Sequence, residues 1–305
     1  MFSENIKITL AYILICLLWG STWLAIRLGL DSLTPVFSAG LRFTLASFFV
    51  LTIMKIKKIQ LQTDSLSIKL YFILGFFSFV IPFGLVYWAE LFIPSGLASI
   101  IFAVMPFFVI LFSVVSIKEQ TILPVQVFGV ILGFVGIVVI FSEDLFLDFS
   151  HDFWGMGAVL LSSIMQAGIA VTMKKYGKHL NPLSMNFLPL LLAGITMIVF
   201  GGIYEDQSSS KFDMKAVLSV GYLAFFGTVL TFTTYYWLMK KINIVLLSIS
   251  TFITPIIAVI LGWAILGEKF TSQILAGSSL VLVGILFANF SALKNYLVPR
   301  RQINA

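Results

Sequence analysis

Residues 87–119 read YWAELFIPSGLASIIFAVMPFFVILFSVVSIKE, and residues 236–268 read YWLMKKINIVLLSISTFITPIIAVILGWAILGE. In each, a Tyr-Trp pair precedes an apolar stretch with a proline near its middle (Pro106, Pro255). A glutamate follows past the end of each (Glu119, Glu268). The offset is a constant 149 residues, 236 minus 87. Phe83 and Phe232, like Ser99 and Ser248, hold the same register. Trp, Pro and Glu are scarce in this chain, so their joint alignment is hard to ascribe to a narrow apolar alphabet. The stretch reads as one half of a duplicated unit, which sets the frame for the rest of the chain.

Of the 305 residues, 60% are hydrophobic and only 10% are charged, with a mean hydropathy of +1.07. A water-soluble chain of this size needs far more charge to cover its surface. The charges cluster between apolar runs of about 17–23 residues, the length that crosses a hydrocarbon core of about 30 Å. The chain therefore reads as an all-α membrane protein in contact with the lipid bilayer. Its formal charge of +6 reflects cytoplasmic Lys and Arg, not a nucleic-acid partner. Cys16 is the single cysteine, which excludes an internal disulfide and cysteine-rich metal sites. Trp19, Trp23 and Arg27 stand where a signal peptide would need small residues, so the first apolar run is expected to be retained.

Ten spans are expected, at 8–26, 35–54, 70–89, 97–115, 125–141, 153–173, 183–204, 216–238, 245–266 and 273–290. Short connections, several opening on proline (Pro35, Pro94, Pro124, Pro182), leave no room for a soluble domain. With the N-terminus inside, fourteen Lys and Arg fall in inner loops and termini and four in outer loops. That bias predicts both termini in the cytoplasm and a multi-pass protein of the cytoplasmic (inner) membrane. Five spans precede the acidic loop Glu143–Asp152 and five follow it. A unit with an odd number of crossings lies upside down relative to its copy. The expected architecture is thus ten transmembrane helices in two inverted five-helix repeats, residues 1–148 and 149–305. Such repeats support alternating access around a midplane site.

No catalytic site is expected. His151 and His179 lie in loops on opposite sides, and no Ser–His pairing, HExxH motif, paired carboxylates or phosphate loop is present. No cofactor or metal is implied.

Arg42 is the one charge inside an expected span. A charge there costs at least about 2.5–3.5 kcal/mol on insertion scales, so it should face a cavity or a partner. It reads either as an anchor for an anionic group on substrate or as a structural lock, with Glu90 at the same level a plausible partner, or as snorkelling outward. Pro106 and Pro255 each free a carbonyl, of Phe102 and Thr251, and are hinge candidates or static kinks. Ser248, Ser250, Thr251 and Thr254 surround the second. Trp23, Trp88 and Trp237 fit an interfacial aromatic belt, whereas Trp19 lies deeper and faces either a cavity or packing. Gly129, Gly133, Gly277 and Gly284 suit close helix packing or dimerisation.

Trp19-Gly20-Ser21-Thr22, Leu41-Arg42-Phe43 and Ala98-Ser99 leading to Pro106 and Glu119, with Ser248, Pro255 and Glu268 in the second copy, resemble the EamA-type members of the drug/metabolite transporter superfamily. The resemblance spans about residues 8–290. It implies a ten-helix inner-membrane carrier of small metabolites, often an exporter of amino acids. Its cavity would be lined by the first, third, fourth, sixth, eighth and ninth helices, which points to Trp19, Ser99, Gln166, Tyr235, Tyr236, Ser248 and Thr251. The copies differ where Gln166 replaces Trp19 and Pro189 replaces Arg42.

The expected function is secondary transport (efflux) of a small organic metabolite. The alternatives are transport of a lipid or drug-like amphiphile and a non-transporting membrane protein. Without an ATP-binding motif the driving force is a gradient. Proton coupling and substrate-driven export both stay open, because no titratable group falls at mid-depth.

Overall fold

A computed structural model describes residues 4–116, 123–145, 151–248 and 250–297, apart from the side chains of 143–145, 245, 248, 251 and 291–297. All regular structure among these residues is helical. The spans, numbered in order, are α1 (Glu4–Gly29), α2 (Pro35–Ile56), α3 (Ser65–Ala89), α4 (Ser95–Ser116) and α5 (Pro124–Leu145). After the acidic loop come α6 (His151–Tyr176), α7 (Ser184–Tyr204) and α8 (Met214–Lys241). The ninth, α9, has two pieces, Ile244–Ser248 and Ser250–Leu261, the second running on as a π-helical turn, Gly262–Leu266. Ser272–Leu297 forms α10. Nine of these are long and apolar enough to cross a membrane, and the apolar segment Phe252–Leu266 supplies the shorter tenth. The ten expected spans thus all correspond to helices. Large apolar side chains such as Leu17, Phe48, Ile131, Val138 and Ile203 point outward and are exposed, as helices bathed in hydrocarbon require.

Alternation of the spans follows from the contacts at their ends. At one end, Lys211 N donates to Ser32 O at 2.7 Å and the Ser32 hydroxyl to Asp213. Ser95 N donates to Glu268 there too. At the other end, Ser67 meets His179 at 3.0 Å and Lys174 Nζ reaches Ile242 O at 2.8 Å.

Neighbours pack in a regular pattern: α5 on α10, α2 on α7, α1 on α8 and α9, α6 on α3 and α4, and α4 on α9. Two of these seams rest on glycine. A Cβ added to Gly129 would lie 2.2 Å from Ala288 N, and one added to Gly284 would lie 2.6 Å from Gly129 O. Likewise, a Cβ on Gly194 would be 2.5 Å from Thr44 N, and one on Gly40 2.6 Å from Ile198 N. Backbones touch here, so the Gly129 and Gly284 stripes pack within one chain. Lipid tails are as apolar as leucine, and close backbone approach is what makes helix association favourable in a membrane.

Helix starts are capped across the bundle. Both carboxylate oxygens of Glu205 accept from the first turn of α2, Val36 N at 2.8 Å and Phe37 N at 2.9 Å. Glu268 does the same for α4 through Ser95 N at 2.7 Å and Gly96 N at 3.0 Å. Orphan donors at a helix start, and the positive end of its dipole, favour a carboxylate there. Glu205→Ala is expected to lower stability by about 1–2 kcal/mol, read as a lower melting temperature in detergent. An unchanged melt would mean that water replaces the cap.

Two spans are interrupted in the same way. A π-helical turn occupies Gly75–Val80 in α3 and Phe225–Leu230 in α8. Such turns widen the helix and leave carbonyls without their usual partners. Span α4 is also broken: its first piece ends at Phe102 and a second begins at Met105. Pro106 therefore stands in the first turn of the second piece, where its missing N–H costs nothing, and not at mid-helix. Pro255 lies inside the longer piece of α9.

Candidate functional site

A cavity of about 100 Å³ lies at the centre of the bundle. α1 contributes Trp19, Thr22 and Trp23; α3 Ser78, Phe83 and Val86; α4 Phe102 and Met105. From the other side come Ser162, Gln166 and Met173 of α6, Phe232, Tyr235, Tyr236 and Met239 of α8, and Ser250 and Thr254 of α9. The six helices implied by the family resemblance all contribute, and α2 adds Arg42.

Aromatic rings build most of the wall. The Trp19 indole meets Phe232 edge-on at 5.4 Å and Tyr235 at 5.2 Å. Trp23 packs edge-on against Phe102 at 5.7 Å and is buried. It is a cavity residue and not part of an interfacial belt, because α1 turns that face toward α4. Trp88 is exposed, as a belt residue should be.

Arg42 is only 1% exposed. It does not snorkel, and Glu90 is not its hydrogen-bond partner, since both Glu90 oxygens lack one. Its Nε donates to Thr228 Oγ1 at 2.8 Å and its Nη2 to Gly227 O at 3.1 Å, both in the π turn of α8. Its Nη1 donates to Tyr87 Oη at 3.2 Å. The guanidinium lies 5.1 Å from the Phe83 ring and 5.2 Å from the Phe43 ring, close enough for cation–π attraction. A guanidinium carries five N–H groups; with one bond from each nitrogen, two N–H groups remain beside the cavity.

Gln166 plays the corresponding part on the opposite wall. Its amide donates to Ser78 O at 2.8 Å and accepts from Ser78 Oγ at 2.9 Å, in the π turn of α3. The π turns of α3 and α8 thus each present a carbonyl and a hydroxyl that a long polar side chain from a different span satisfies, as buried backbone in hydrocarbon demands.

Among the described residues, three hydroxyls on the cavity wall find no hydrogen-bond partner: Ser162 Oγ, Ser250 Oγ and Tyr235 Oη. Buried polar groups are almost always bonded, so an orphaned cluster around a cavity is what a ligand or water would satisfy. Among the described residues, no Asp or Glu lines the cavity.

Of the residues picked out from sequence, Trp19, Arg42, Gln166, Tyr235 and Tyr236 meet around this cavity. Ser99 does not reach it; its hydroxyl turns back to Gly96 O at 2.6 Å. The side chains of Ser248 and Thr251, and Glu119 altogether, lie outside the described residues. Sequence reasoning missed Ser78, Ser162, Phe232 and Thr228. A signal existed: Ser162 and Gln166, like Ser250 and Thr254, are polar pairs at i, i+4 inside spans, which places them on one helix face.

Toward one end the cavity shares Met173, Tyr236 and Met239 with a vestibule of about 200 Å³ that also has Lys174, Lys178 and Lys240 on its wall. Among the described residues no three His, Cys, Asp or Glu side chains gather as a metal site would need. His179 and His151 sit at opposite ends, the latter stacked on Phe92.

This is the build of a polytopic carrier, with an aromatic, hydroxyl-bearing chamber walled by discontinuous helices. The sequence pattern of the EamA-like transporter family matches residues 6–142 and again 153–290, so the chain belongs to that family and is a membrane transporter. Protein PagO of Salmonella typhimurium is 30% identical over 290 residues, covering 95% of this chain and 94% of that protein. The transporter YoaV of Bacillus subtilis is 26% identical, covering 94% and 98%. An inner membrane transporter of Escherichia coli, YedA, is 26% identical, covering 95% and 92%. A crystal structure 17% identical in sequence aligns with a TM-score of 0.71 over 94% of this chain and 98% of the other, which shows the fold.

Proposed function

We propose that the protein is a secondary transporter that exports small organic metabolites, amino acids among them, across the cytoplasmic membrane by alternating access. The moving parts are two inverted five-helix units, residues 1–148 and 149–305. Three observations support the units. The family pattern matches twice. π turns occur at corresponding places, 75–80 and 225–230. The packing partners map onto themselves when each of the first five spans is exchanged for the one five places later.

The observation that carries the substrate class is the chamber itself. Its aromatic walls suit an apolar side chain, Arg42 suits a carboxylate, and the free hydroxyls of Ser162, Ser250 and Tyr235 suit an ammonium or amide. With no acid on the wall, a purely cationic substrate has no counter-charge. Export is supported by the vestibule, whose three lysines would draw anions toward the chamber, at the end that the Lys/Arg bias assigns to the cytoplasm.

The test is efflux from liposomes that contain the purified protein and are loaded with a mixture of labelled amino acids. Flux above empty liposomes is expected. Tyr235→Phe keeps the ring and removes a free hydroxyl, so apparent affinity should fall about 5–15-fold, the worth of one hydrogen bond of about 1–1.5 kcal/mol. A lipid or bulky amphiphile as the sole transported species would replace this reading, and absence of any flux would end it.

A further inference from the structure

Two charged side chains are buried among the described residues, Arg42 and Glu90. The first has partners and a place in the chamber. Glu90 is 0% exposed, and among the described residues neither of its carboxylate oxygens has a hydrogen-bond partner. It stands just past the end of α3, one turn beyond Val86, which lines the cavity, and Tyr87, which holds Arg42. It therefore separates the chamber from the end of the bundle opposite the lysine vestibule.

The charged and titratable groups around it are few. α1 brings Arg27, whose Nη1 donates to the Glu90 backbone carbonyl at 3.1 Å and not to its carboxylate. Arg42 comes from α2 and Tyr87 from Glu90's own helix. The turn after α9 brings Glu268, already engaged with the start of α4. The first turn of α6 carries His151, stacked on Phe92, and Asp152.

A carboxylate buried in such a place, with no donor among the described residues, is costly as an anion and tolerable as a neutral acid. Burial, and after it the Glu268 charge, raise the Glu90 pKa well above the usual carboxylate range, while Arg27 and Arg42 oppose this. Opening this end would admit water and free Arg27 to pair with the carboxylate, and both changes favour the anion.

We infer that Glu90 is a proton-binding site that closes this end of the transporter when protonated and releases its proton as the end opens. The inference rests on the alternating-access reading, and supplies the titratable group that proton linkage needs. The sign follows from the closed form binding the proton more tightly. Closure is favoured at low pH, and opening rises as pH climbs through the closed-state value, by up to about tenfold per pH unit for one proton.

The test uses full-length protein in lipid nanodiscs. Infrared difference spectra across a pH step should show the C=O stretch of a protonated carboxyl in the wild type. That band should be missing in Glu90→Gln and displaced in Glu90→Asp, which also serves if the Gln variant folds poorly. In parallel, spin labels on cysteines introduced at the exposed positions Leu91 and Phe212, in a Cys16→Ala background, report the width of this end. The wild type should widen between about pH 5 and about pH 9, and Glu90→Gln should stay closed throughout. A band that survives in Glu90→Gln, or a widening that is the same in both proteins, would overturn the inference. Neither readout requires transport, so absence of flux would sink the carrier reading separately.

Discussion

Replacing Gly129 with leucine is expected to leave no monodisperse transporter after extraction in detergent. The position faces α10 with no room for even one carbon, since a Cβ would sit 2.2 Å from Ala288 N and 2.5 Å from Gly284 O. Both obstacles are backbone, so no rotamer change can relieve the clash. The helices must separate along the whole seam, including Gly136 against Gly277, where a Cβ would lie 2.6 Å from a carbonyl. Adding one or two methylenes to a packed core already costs about 1–3 kcal/mol. A leucine against rigid backbone should exceed that and consume much of a native stability of about 5–15 kcal/mol. Gly221→Ala is the control, because nothing lies within 4 Å of a Cβ there. It should fold like the wild type and gain up to about 1 kcal/mol of helix propensity. Size-exclusion profiles and thermal melts decide. A normal profile for Gly129→Leu would show that α5 and α10 do not touch as described.

The second large effect is expected at Arg42. Arg42→Ala removes a guanidinium that ties α2 to α3 through Tyr87 and to α8 through Thr228 and Gly227. It strips Gly227 O and Tyr87 Oη of a donor, each such orphan costing about 1–3 kcal/mol, and opens a void beside Phe83. A loss of stability of about 2–4 kcal/mol is expected, together with at least a tenfold fall in amino-acid efflux from liposomes. Arg42→Lys keeps the charge but cannot span three partners with one nitrogen, so it should recover anion affinity more than stability. Normal efflux from a merely less stable Arg42→Ala protein would make this residue a brace alone, with no hand in substrate binding.

Much of the fold was legible because a bilayer leaves few options. Runs long enough to cross, turn prolines between them and a lopsided Lys/Arg distribution name ten helices without any packing detail. The chamber was partly legible: Trp19 stood out because a large side chain deep in a span must meet other helices or a cavity, while Gln166 and Tyr235 were reached through the resemblance to the family. What stayed hidden depends on interruptions of helix geometry. Nothing in GFFSFV (75–80) or FFGTVL (225–230) announces a π turn. Without those turns, neither Arg42's partner in α8 nor the bond between Gln166 and Ser78 could be foreseen. Glu90 was hidden for a related reason. From sequence it read only as a plausible partner for Arg42, whereas its carboxylate is fully buried and accepts from none of the described donors, which depends on packing that span position does not reveal. Trp23 shows the same limit, since depth along a helix can be counted from sequence but the direction a residue faces depends on its neighbours.

One measurement bears most directly on alternating access through the chamber. Ser162 is buried on its wall and unpartnered, and the native thiol, Cys16, is buried too and can be removed. A single cysteine at position 162 in a Cys16→Ala protein can be challenged with a membrane-impermeant thiol reagent, from each side in turn, in right-side-out and inverted vesicles. Alternating access predicts labelling from both sides, slowed by a transported amino acid. Labelling from one side only under every condition, or from neither, would contradict it.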